Sequence, residues 1–81
     1  MDEGKNEFQT KDLYESAFLY ASGCLLIRLE KGERNQFWFV FEDKRKCEQL
    51  SNQYWSGEGI TKAILFVDAI RRLKDRIFSQ R

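Results

Sequence analysis

The chain of 81 residues contains no histidine and no proline, and only two cysteines, one methionine and five glycines. Each shortage excludes something. Without histidine the commonest general base near neutral pH is missing, as is the commonest metal ligand. Ser16, Ser22, Ser51, Ser56 and Ser79 therefore have no imidazole to activate them. Cys24 and Cys47 lie far apart and form no CxxC pair, so a structural zinc site would need several carboxylates beside them. Ser56-Gly57-Glu58-Gly59 is the only glycine-rich segment, and it lacks the Lys and Ser/Thr of a phosphate loop. These gaps point away from catalysis and predict no cofactor and no metal.

No apolar run approaches the ~20 residues that a bilayer-spanning helix needs. No secretory leader is recognisable at the start, and the sparse cysteines suit a reducing compartment, so a cytoplasmic setting with free, buried thiols is expected. No linker, repeat or low-complexity stretch divides the chain. What is present is globular: 42% hydrophobic, 15% aromatic and 33% charged residues, enough aromatic mass for one small core. Net charge is only +1, yet it is unevenly spread. Residues 1–43 carry five basic and nine acidic side chains, and residues 60–81 carry six basic and two acidic.

Residues 1–9 are polar apart from Phe8 and are expected to be flexible, leaving 10–80 as a single domain. Thr10 can cap a helix over 11–22, in which Leu13, Tyr14, Ala17, Phe18, Tyr20 and Ala21 recur at helical spacing and Gly23 stops the run. Two strand-like runs follow, about 24–30 and 36–42, joined through Lys31-Gly32-Glu33-Arg34-Asn35, the signature of a β-hairpin. Straight alternation puts Leu25, Ile27 and Leu29 on one face with Phe37, Phe39 and Phe41. Leu26, Arg28, Trp38 and Val40 fall on the other. Asp43 caps a second helix over 44–55, with Cys47, Leu50, Ser51 and Tyr54 inward. Thr61 caps a third over 62–79, striped by Ala63, Phe66, Val67, Ile70, Leu73 and Ile77. The predicted class is α+β: a single small domain in the order α-β-β-α-α, an antiparallel hairpin packed on helices.

The segments Thr10-Lys11-Asp12-Leu13-Tyr14, Ala17-Phe18-Leu19, Phe37 to Phe41 running into Glu42-Asp43, Tyr54-Trp55 before a glycine turn, and Leu73-Lys74 are together similar to a bacterial domain family of unknown function, the one numbered 5659. The likeness spans about residues 8–80. It implies one compact domain, and no activity, cofactor or site residue.

Two binding readings remain. A two-stranded ribbon needs cover, and this one carries more apolar surface than three short helices shelter. Trp38, Val40, Tyr54 and Trp55 are accordingly the candidates for contact with a protein partner or a second copy. The uncharged second strand is the expected association edge. The alternative is nucleic acid bound through Arg71, Arg72, Lys74 and Arg76, although Asp68 and Asp75 balance that helix and a solvated face explains it as well.

Overall fold

A computed structural model describes residues 6–80. Its elements are β1 (Glu7–Thr10), α1 (Leu13–Ala21), β2 (Leu26–Lys31), β3 (Phe37–Glu42), α2 (Lys44–Ser56) and α3 (Ala63–Gln80). The architecture is α+β, and the expected five elements occur in the expected order. A further strand precedes them. Residues 7–9 were expected to be flexible; they enter the sheet instead, while residues 1–5 lie outside the described residues.

That added strand changes the sheet. The order is β1-β3-β2, and both pairings are antiparallel. The aromatic strand β3 is therefore central, with Phe8 opposite Phe41 on one side and Leu29 opposite Phe39 on the other. The expectation that this strand is an association edge is corrected: both of its rows of backbone donors and acceptors are already used. β1 and β2 are the outer strands. The hairpin turn closes through Gly32 N–H to Gln36 O (2.8 Å) and Gln36 N–H to Glu33 O (3.1 Å), with Arg34 in the left-handed region at φ 59°.

A second correction concerns β2. Its register passes from Leu26 opposite Phe41 to Arg28 opposite Val40, leaving Ile27 as a bulge. The extra residue inverts the alternation upstream of it. Leu26 faces the core, while Leu25 and Ile27 are exposed. Beyond the bulge Leu29 packs against the core as predicted.

The inner face is closed by helices. Phe39, Phe41 and Leu26 meet Ala17 and Leu19 of α1, Cys47 of α2, and Ala69 and Leu73 of α3 in one cluster, with Phe8, Leu50, Phe66, Ile70 and Ile77 at its margin. Asp12, rather than Thr10, caps α1, accepting from Glu15 N–H at 2.7 Å. Thr10 is a strand residue, so its hydroxyl serves elsewhere. Helix α1 stops at Gly23 (φ 96°), where Cys24 N–H reaches back to Leu19 O and Gly23 N–H to Tyr20 O. Helix α2 starts at Asp43, whose left-handed backbone (φ 73°) turns the chain sharply out of β3 and whose carboxylate accepts from Lys46 N–H. Asp tolerates that conformation better than most side chains.

Candidate interaction surface

The outer sheet face was the first candidate for partner contact. Its chemistry is set by one side chain. Arg28 on β2 donates two hydrogen bonds to the Glu7 carboxylate on β1 (2.9 and 3.1 Å) and a third to Glu30 (2.7 Å). Since β3 lies between β1 and β2, the guanidinium spans the central strand. Val40 is the β3 residue paired with both Arg28 and Gln9, and it is fully buried. Hydrogen bonding to Arg28 holds the Glu7 carboxyl below the ordinary glutamate range. The same two carboxylates keep Arg28 more firmly protonated. Val40 thus offers no surface: a polar lattice joining distant parts of the chain covers it. Trp38 is half-buried, with Lys11 Nζ 4.8 Å from its ring centroid.

The other two aromatic candidates do gather on one surface. Tyr54 lies against Phe18 (5.8 Å between centroids) and meets Trp55 edge-on (4.9 Å, 83°). Burial, then the carboxylates of Asp12 and Glu15, push the Tyr54 hydroxyl up, so the ring stays neutral. Helix α2 ends in Gly57 (φ 84°), and the chain runs past Phe18 at Gly59. There a Cβ would stand 2.7 Å from the Phe18 ring, so only glycine permits this approach. The result is a shallow depression of about 390 Å³ lined by Phe18, Tyr54, Gly59, Ile60, Thr61, Ala63 and Phe66. Ile60 is 90% exposed, Ile64 72% and Trp55 62%. The predicted stripe of α3 is corrected in part: Ala63 and Val67 are exposed, as is Ile64 between them, while Phe66, Ile70, Leu73 and Ile77 pack on the core.

The four basic candidates are all exposed, but they do not share a face. At about 100° per residue, Arg71 and Lys74 fall on one flank of α3 and Arg72 and Arg76 on another. Arg72 is held by Asp68 at 2.7 Å.

The family model for a domain of unknown function (DUF5659) matches residues 5–79. The chain belongs to this family. Comparison with curated proteins and with solved structures gave no match.

Inside this DUF5659 domain lies a polar cluster that sequence reasoning missed. The Glu15 carboxyl is buried between two hydroxyls, accepting from Thr10 Oγ1 (2.6 Å) and from Ser51 Oγ. It ties β1, α1 and α2 together. Nothing in the local pattern announces it, because Glu15 reads as an ordinary first-turn acid and its partners come from separate elements. Cys24 and Cys47 are buried free thiols, as expected. Burial raises both, Cys47 to about 12, which favours the neutral thiol over the thiolate. Among the described residues no helix is long and apolar enough to cross a membrane.

Proposed function

We propose that the protein is a cytoplasmic, non-catalytic interaction module that binds protein through the surface formed by Trp55 and Ile60 around the Phe18–Tyr54 depression. The observation that carries this reading is Ile60, 90% exposed, standing at the Phe18–Tyr54 depression beside the edge-on Tyr54–Trp55 pair. Apolar side chains scattered singly over a surface need no explanation, whereas contiguous ones mark contact sites. An exposed tryptophan supported edge-on by a half-buried tyrosine is a common anchor of protein interfaces. The absence of histidine and the raised thiols support the non-catalytic part of the reading, and buried free thiols support a reducing compartment.

The test is photocrosslinking from position 55 in host cells, identification of the crosslinked chain, and reconstitution of the pair from purified components. Trp55→Asp with Ile60→Asp, checked for unchanged circular dichroism, should abolish that binding. Undiminished binding by the double variant overturns the assignment. Retention on DNA or RNA at low salt, lost in Arg71→Glu or Arg72→Glu, would favour the nucleic-acid reading instead.

A further inference from the structure

The chain has only two cysteines, and the fold brings them to one residue. Glu42 N–H donates to Leu25 O (2.9 Å), which sets Cys24 beside the end of β3. The carbonyl of the same Glu42 accepts from Cys47 Sγ at 3.4 Å, from the first turn of α2. Both cysteines belong to the core cluster, and their thiols are in hydrogen-bond contact with each other. Neither belongs to the surface around Tyr54. They differ in access. Cys24 lines a cavity of about 270 Å³ together with Gly23, Leu25, Asp43 and Lys46, whereas Cys47 is fully buried and lines none of it. Lys46 Nζ stands over Gly23, 3.8 Å from where a Cβ would be.

We propose that Cys24 and Cys47 form an oxidation site, in which hydrogen peroxide entering the cavity oxidises Cys24 and Cys47 then closes a disulfide with it. The Cys24 sulfur attacks one peroxide oxygen and the O–O bond breaks. The departing hydroxide leaves as water with the thiol proton, and Cys24 is left as a sulfenic acid. The Cys47 sulfur attacks the Cys24 sulfur, the S–O bond breaks, and a second water carries off the Cys47 proton. Two thiols lose two electrons in all, and the peroxide gains them. Burial holds the Cys24 thiol above its ordinary value, while contact with Cys47 and the charge of Lys46 draw it down. Its thiolate fraction is small, so the pair answers sustained exposure to oxidant rather than a brief pulse. The new bond encloses the β2–β3 hairpin and fastens α2 to the chain entering β2. A bridge of that kind restricts the unfolded chain, so oxidation hardens the fold. Disulfides of reducing compartments are commonly transient and redox-sensing, and this one is of that type.

The experiment treats the whole folded chain with hydrogen peroxide and follows intact mass, free thiols and thermal midpoint. The monomer should lose the mass of two hydrogens, and both thiols should disappear together. The midpoint should rise by at least about 5 °C and return on adding dithiothreitol. Cys47→Ser should stop at a sulfenic acid on Cys24, captured by dimedone, and Cys24→Ser should resist the oxidant. A disulfide between chains, a midpoint that falls or stays, or thiols that react only once urea unfolds the chain would overturn the site. So would a Cys24→Ser chain that reacts as fast as wild type. The wild-type measurements decide the matter even where a serine variant fails to fold.

Discussion

Arg28 and Glu7, on the two outer strands, are joined by a pair of hydrogen bonds that passes over Val40 on the central one. The contact is exposed enough for solvent to screen its charge, so its worth lies in geometry. A planar guanidinium meets a carboxylate along two parallel bonds and shelters an apolar side chain beneath it.

Replacing Arg28 should therefore destabilise the fold, and Lys should not restore it. Lysine carries the charge without the fork. The effect of Glu7→Gln should depend on pH. Glu7 titrates lower in the folded chain than in the unfolded one, so its stabilisation is fully present above the ordinary glutamate value. It fades as pH falls through the folded value. Urea midpoints of wild type and Glu7→Gln should differ at pH 7 and converge in acid. A gap that persists or widens in acid would contradict the linkage.

Gly59 offers a test of packing around the depression. Adding one methyl group brings it against the Phe18 ring at 2.7 to 3.3 Å. Gly59→Ala should cost about 1–3 kcal/mol, the usual range for overfilling a packed site. Phe18→Leu in the same chain should recover part of that loss. Denaturant unfolding of the four chains of this cycle measures the coupling, and simple additivity would show that the ring is not the obstacle.

Ser51 offers a test of the buried polar cluster. Ser51→Ala removes one of the two hydroxyls that hold Glu15. A buried acceptor left without its donor costs about 1–3 kcal/mol. The loss should appear as a lower thermal midpoint with the far-ultraviolet spectrum unchanged. A neutral substitution would mean that water reaches the carboxyl.

Much of this fold is legible in the chain, because helices and a hairpin announce themselves locally. Asp43, Gly57 and the apolar stripe of α3 mark α2 and α3 to within a residue or two, although Ala63 and Val67 of that stripe turn outward. Strand β1 is not legible, since Glu7-Phe8-Gln9-Thr10 alternates over only four positions and gains its order from β3. The bulge at Ile27 is equally silent: Cys24-Leu25-Leu26-Ile27 is apolar in either register, and only the sheet decides which side faces in. Val40 reads as a surface residue because Arg28 and Glu7, which seal it, are 21 positions apart. Tyr54 and Trp55 stand out as neighbours in the chain, whereas their closeness to Ile60 depends on how tightly the chain passes Phe18 at Gly59.

The placement of β1 also bears on the order of events in folding. Phe8 must wait for Phe41, whereas β2 and β3 meet across a short turn. Closing the longer loop carries the greater entropic cost and follows the local ribbon. Val40 is thus left bare until the first segment arrives. Until it does, one edge of the aromatic strand is open to pairing with another chain, and chains cut so as to lack residues 6–10 should be the ones that clump.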